Sequence, residues 1–322
     1  MGAPESVLST IQVGPPYTSG TLTMWPLLGS NGHDPAYDLA AAAFAAGTLT
    51  VQEVSANGLV PTLRVVNVGA RPVLLLDGEQ LVGAKQNRVL NVTVLVAAHT
   101  TLDVPVSCVA HGRWHYTRPD FGSDDYVMNA ELRARNMREV SATLRVRQSR
   151  AGDQGAVWDG IAQKAAHMEA EAPTGAMRDT YERHRVPIEN FVKDLAPADH
   201  QQGAIFAAHG KFLGLEVFDA SKTLAAMLPK LVRSHALEAL DPRRMRHANP
   251  DGDDLGLFLE AVRELRMESY PAIGLGVEYR LDGPGLQGAA LEVDGSVVHL
   301  SVLVDGPTYG RFRQPRNAGA TR

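Results

Sequence analysis

The sequence predicts an α+β fold: antiparallel, β-sandwich-like sheets from the N- and C-terminal thirds with a helical central segment between them. Three patterns carry that expectation. β-rich runs separated by Gly, Ala and Asn succeed one another from Thr48 to Val109, the apolar spacing lengthens to a helical one after Pro119, and β-rich runs return from Ile273 onward.

In chain order, the alanine run within Pro35 to Ala46 favours a helix. Strands are expected over Thr48 to Val54, Val60 to Val66, Val73 to Asp77, Arg88 to Val96 and Leu102 to Val109. Met128, Leu132, Met137, Val140 and Leu144 recur at helical spacing, and a second helix covers Gln154 to Ala170 before Pro173. Asp179 to Leu195 reads as a helix that Pro187 breaks or kinks, and Gly210 to Asp219 as a strand. Ser221 to Leu240 is a long helix with a kink expected at Pro229. Leu257, Phe258, Ala261, Val262 and Leu265 give a helix over Leu255 to Met267 one apolar face. The last strands, Ile273 to Leu281, Gly288 to Val293 and Ser296 to Val304, form a meander with Asp294-Gly295 as a hairpin turn. No long linker interrupts this order, so one domain is expected over 1–322: β-rich at 48–110, helical at 126–200, mixed at 203–304, with a flexible tail at 311–322. The terminal strands are expected to join the early sheet or pack on it.

With 44% hydrophobic and 21% charged residues, the 322-residue chain has the composition of a folded globular protein. Its 31 basic and 36 acidic residues leave a net charge of -5, which excludes global attraction to nucleic acid or anionic membrane. Cys108 is the only cysteine, so a disulfide framework and multi-cysteine metal sites are excluded. That usage suits a reducing cytoplasm. Met1 to Gln12 lacks a secretory pattern, and no apolar run approaches the roughly 18 residues of a membrane span, so a cytoplasmic protein without membrane contact is expected. The arginines between Arg113 and Arg150 make a local positive surface that RNA would meet, or they form intrahelical pairs such as Glu131 with Arg135.

Chemistry concentrates in residues 71–91, where Asp77, Glu79, Gln80, Lys85, Gln86, Asn87 and Arg88 stand between apolar runs. Burying such groups without partners costs roughly 1 to 3 kcal/mol each, so they form an internal network or face a ligand. In an extended chain Asp77 and Glu79 share one face, unless Gly78 bends it. Glu79 is the candidate general base or water-orienting group, and Asp77 its support. Lys85, Arg88 and Arg113 are candidates for holding a diphosphate, Gln86 and Asn87 for reading hydroxyls or a base edge, and Trp114 for stacking on a base. The competing arrangement ties Lys85 or Arg88 to Asp77 or Glu79. Cys108, among Val104, Val106 and Val109, reads as a buried and inert thiol. His111 and His115 are four apart, but Gly112 and Pro119 argue against a helical metal pair, and Asp251, Asp253 and Asp254 read as a helix start. No metal is expected, and no cofactor is identifiable.

Several segments resemble one known family. They are Leu74 to Arg88, Pro105-Val106-Ser107-Cys108 followed by Gly112-Arg113-Trp114, Gly214 to Leu240, and Gly274 to Arg280 with His299-Leu300. They are similar to the bacterial family named for its genomic association with ADP-ribosylglycohydrolases and rhodanese-phosphatase proteins. The resemblance implies a role in ADP-ribose or NAD-linked metabolism, including conflict systems. A hydrolase acting on an ADP-ribose-linked or NAD-derived substrate, ADP-ribosylated protein or nucleic acid among them, is then expected. A non-catalytic nucleotide-binding module and a structural scaffold are the alternatives. One departure stands out: the family pattern has a Glu between Cys108 and Gly112, where this chain has Ala110 and His111.

Overall fold

The computed structural model describes residues 7, 9–29, 33–54, 61–83, 86–111, 120–244 and 248–306. The chain opens with β1 (Gln12–Val13), β2 (Tyr17–Ser19) and β3 (Leu22–Leu28), then β4 (Asp38–Leu39) running into helix α1 (Ala40–Ala45). There follow β5 (Leu49–Glu53), β6 (Thr62–Asn67), β7 (Val73–Leu75), β8 (Glu79–Gly83), β9 (Arg88–Leu90), β10 (Val94–Val96), β11 (Thr100–Cys108) and β12 (Phe121–Val127). The helical centre is α2 (Ala130–Arg147), α3 (Gln154–His167), α4 (Met177–Arg183) and α5 (Arg185–Asp194). The hairpin β13 (Gln201–Ala208) and β14 (Lys211–Phe218) leads to α6 (Ser221–Leu240) and α7 (Gly252–Arg263). The described chain ends in the meander β15 (Arg266–Pro271), β16 (Val277–Gly283), β17 (Leu286–Val293) and β18 (Ser296–Val304).

The fold is mixed α+β, with antiparallel pairing throughout except for β4 against β7. The sandwich expected from the sequence is replaced by a closed barrel, β11-β6-β5-β12-β8-β9, beside a nine-stranded sheet. That sheet runs β1-β3-β13-β14-β18-β17-β16-β15, with β2 on β3, and β10-β7-β4 form a small third sheet. Alternation explains the barrel. β5 alternates buried with exposed or half-buried residues and β6 buried with half-buried ones, so Leu49, Val51, Leu63 and Val65 fill one apolar interior with Leu81, Leu90, Val104, Val106 and Phe121. The C-terminal strands do not pair with the early strands but do pack on them, Leu291 and Val298 meeting Leu74 and Leu95. They pair with β14, which through β13 reaches β3, a strand the sequence reading passed over.

Two expected elements divide. The run Arg88 to Val96 splits into β9 and β10 in different sheets, because Asn91 between them is held by Ser107 Oγ at 2.8 Å and the hydroxyl of Thr93 bonds Asp77 at 3.1 Å. The helix expected over Asp179 to Leu195 breaks at His184, which places Pro187 in the first turn of α5, where a missing N–H costs no helical bond. α6 runs as one helix through Pro229. The expected turn Asp294-Gly295 has both residues at positive φ, 52° and 79°, as a tight hairpin requires.

α6 is the central strut. Leu224, Met227, Leu228 and Leu231 pack with Phe206, Leu213 and Phe218 of the large sheet and with Val127 of β12 in one cluster, so the helix touches both the sheet and the barrel. A polar residue on that helix is thereby delivered between the two β bodies.

Candidate functional site

Asp77 and Glu79 are held by different partners on the two sides of a bend. Gly78 between them sits at φ +75°, and a Cβ there would lie 2.9 Å from Arg133 Cδ, so both the bend and the close approach need glycine. On one side of the bend, Arg133 Nε and Nη2 donate to the two oxygens of Asp77 at 2.8 and 2.7 Å, and Nη1 donates to Glu216. Glu216 also accepts from Ser301 Oγ at 3.0 Å and lies 2.8 Å from His299 Nε2, whose other ring nitrogen is 3.0 Å from Thr93 Oγ1. Burial opposes the charge on Asp77, but the Arg133 guanidinium outweighs it and holds this carboxyl down at about 2. Glu216 is lowered in the same way. This network is buried, and none of its residues lines the cavity of about 170 Å³ on the other side of the bend.

On the other side, Glu79 Oε1 accepts from Lys230 Nζ at 2.6 Å, and Nζ also donates to Ser123 Oγ at 3.0 Å. The backbone N–H of Leu76 donates to Glu79 Oε2 at 3.4 Å. This pair forms the polar floor of a cavity of about 170 Å³ between α1 and α6. Its walls are Leu39, Leu74, Leu76 and Met227, and Ala40, Ala41, Ala42 and Ala226 complete the lining. Ala41, Ala42 and Ala226 are exposed, so the opening is framed by methyl groups.

Lys230 was missed from the sequence. It follows Met227 by three in a stripe that is otherwise core, and a cation at that helical position was the available signal.

Gln86, Asn87 and Arg88 gather elsewhere. They are 3%, 2% and 1% exposed and do not line the cavity at Glu79. Arg88 lies opposite Leu81 and Cys108 in the barrel registers, which turns it inward. Its Nη1 donates to Gln86 Oε1 at 3.1 Å, and its Nη2 stands 3.5 Å from Glu53. Cys108 is buried as expected, and its thiol donates to Gln86 Oε1 at 2.9 Å. Asp77 and Arg88 thus each have internal partners, and neither pairs with the other. Lys85, Arg113, Trp114 and His115, like the tail 311–322, lie outside the described residues.

The model of the ARG and Rhodanese-Phosphatase-superfamily-associated Protein domain, ARPP-1, matches residues 10–303. The chain belongs to the ARPP-1 family. Glu79 and Lys230 both fall within the match, as do the barrel and nearly all of the large sheet. Comparison with curated proteins and with solved structures finds no match. Among the described residues, no helix of this ARPP-1 protein is long and apolar enough to cross a membrane.

A second charged locus in the ARPP-1 fold lies at the start of α2. Glu131, Glu238 and Asp241 bring carboxylate oxygens within 4.8 Å of one another. Lys164 Nζ stands among them at 3.3, 2.9 and 3.1 Å, so an ammonium takes the place a metal ion would need. Glu238 also accepts from the backbone N–H of Glu131 at 3.3 Å and so caps α2. The expected pairing of Glu131 with Arg135 is replaced by that of Glu131 with Lys164. Arg138, Arg145 and Arg150 reach Asp305, Glu268 and Glu278 at 2.6, 2.7 and 2.6 Å. Much of the arginine-rich stretch is therefore spent tying α2 and the residues after it to the C-terminal strands, which leaves less free cation for RNA than the composition implied.

Proposed function

We propose that the cavity over Glu79 and Lys230 takes the ring end of an ADP-ribose-linked or NAD-derived compound, and that the protein hydrolyses or otherwise processes it there. The observation that carries this reading is a buried carboxylate opening onto a cavity of about 170 Å³ with apolar walls. A cavity of roughly 150 Å³ accommodates a single benzene-sized ring. One ring of a nucleotide therefore enters, and the remainder stays outside. The faces of that ring meet Leu74, Leu76 and Met227, while its polar edge meets the ion pair. Glu79 is placed to orient water or move a proton at a glycosidic carbon, and Lys230 fixes its position.

Arg88, 1% exposed and facing into the barrel, does not line this cavity, so a diphosphate held outside it meets another cation. Lys222 is the better candidate. It stands on the stripe Lys222, Ala226, Lys230, two helical turns and about 12 Å from Lys230, and is 69% exposed at the side chain, where Asp34 is its partner.

A non-catalytic binding module is the second reading, favoured by the existing neutralisation of Glu79 by Lys230 at 2.6 Å. Calorimetry and product analysis with NAD, ADP-ribose, and ADP-ribosylated protein, RNA and DNA, with and without magnesium, separate the two. Glu79→Gln is expected to keep binding and lose turnover. Binding without turnover in the unaltered protein would establish the binding module, and no binding to any of these would defeat both readings.

A further inference from the structure

We propose that Lys230 is a nucleophile that forms an imine with an aldehyde seated in the cavity above Glu79. This rests on the reading of that cavity as the ligand site and names the reacting group. The argument begins with the donors of the ammonium. An ammonium has three, and in Lys230 two are taken, by Glu79 at 2.6 Å and Ser123 at 3.0 Å, with no third partner among the described residues. The residue is 7% exposed, and with Glu79 it forms the polar floor of an otherwise apolar cavity. Lys164 shows what a purely structural buried lysine looks like in the same protein. Its Nζ has three carboxylate partners at 2.9 to 3.3 Å, and the recess it borders is about 20 Å³.

The chemistry needs a base for the ammonium, an acid for the leaving water, and room for the carbonyl carbon. Glu79 supplies the first two. It takes a proton from Nζ, and the amine lone pair then forms a C–N bond as the carbonyl π bond opens. After the adduct nitrogen passes a proton to the alkoxide, the carbinolamine C–O bond breaks, and Glu79 returns its proton to the departing hydroxyl. The sum is ammonium plus aldehyde giving iminium plus water, with Glu79 ionised at start and finish and no oxidant or reductant consumed. The iminium cation replaces the ammonium opposite the same carboxylate, so the charge balance of the buried pair is kept.

An aldehyde reaches this floor either on a small apolar body, which the alanine-framed opening admits, or as the open-chain C1 of a free ribose end. Borohydride trapping with intact-mass and peptide analysis of the full chain separates these sources, with benzaldehyde in one arm and ADP-ribose in the other. Trapping is expected at Lys230 at least tenfold above Lys164, Lys193, Lys211 and Lys222. It should vanish in Lys230→Arg, which keeps the cation beside Glu79. In Ala226→Phe, which fills the cavity and leaves Lys230 in place, it should fall at least tenfold. Reaction spread evenly over the surface lysines, or trapping unchanged in Ala226→Phe, overturns the proposal. Saturable binding of ADP-ribose with no adduct at Lys230 in either arm overturns the imine but leaves the ligand site standing, whereas absence of both defeats both.

Discussion

Asp77 and Glu79 are two residues apart, both buried and both paired with a cation, yet their surroundings are opposite. Asp77 belongs to a closed network with Arg133, Glu216 and His299, in which each partner has another partner. Glu79 has one cation, and that pair borders open space. Buried ion pairs are weak evidence for stability, but removing one partner from a sealed pair strands a charge that water cannot reach. The same chemical unit is therefore enclosed by its own partners in one place and borders open space in the other. What separates them is access, created by the turn at Gly78.

The largest expected effect tests the sealed side. Arg133→Met leaves Asp77 and Glu216 without their guanidinium and should destabilise by about 3 to 5 kcal/mol in urea denaturation. Lys230→Met strands one carboxylate beside a cavity that water can enter, so its cost should be smaller, about 1 to 2 kcal/mol. Equal losses would erase the distinction. Because Arg133 links the turn before β8 to Glu216 of β14, a single transition in the unaltered protein, with barrel and sheet melting together, is also expected.

Acid should find the sealed side first through α6. His235, in the C-terminal half of that helix, is buried against Phe206 with ring centroids 4.1 Å apart, and its Nδ1 bonds the carbonyl of Leu231 at 2.8 Å. Burial lowers its pKa from 6.5 to about 4. The unfolded chain therefore binds the proton more readily than the folded one between these values, and stability falls as pH drops from about 6.5 to about 4, by on the order of 3 kcal/mol. Asp77 adds a second loss lower down. Its folded value of about 2 lies below the ordinary 3.8, so its contribution is present above pH 3.8 and disappears as pH falls through about 2. Denaturation midpoints at pH 7, 5 and 4 should decline in the unaltered protein and stay flatter in His235→Phe.

Much of this architecture was visible in the residues. Strands with clear alternation, such as β5 and β6, and the helix Ser221–Leu240 were found at nearly their true limits because period and burial agree there. β13 was not found. Its sequence Gln-Gln-Gly-Ala-Ile-Phe-Ala-Ala has weak strand preference and no alternation, since a central strand buried on both faces needs none. For the site, Glu79 was legible as a carboxylate with nowhere innocuous to go. Its partner was not, because Lys230 comes from a helix 151 residues away and local pattern is silent about which strand end a helix will cover. Gln86, Asn87 and Arg88 were legible as a polar cluster, but their orientation was not. A polar cluster at a barrel end looks the same in sequence whether it turns outward to a ligand or inward beneath the rim.

The smallest change in stability should carry the most information about access. Ala226 is an exposed lining residue of the cavity, and leucine has a helix propensity close to that of alanine, so Ala226→Leu should alter unfolding by less than about 1 kcal/mol. It nonetheless occupies space a ring would use. A ligand present at 100 times its dissociation constant stabilises the unaltered protein by about 2.7 kcal/mol, a rise easily read as a shift in melting temperature. In Ala226→Leu that rise should disappear while the ligand-free melting temperature stays put. Arg133→Met should do the reverse, melting early yet keeping the ligand-induced rise wherever it remains folded. If both substitutions abolish the rise, the two carboxylates report on one shared structure, and their separation at Gly78 has no functional meaning.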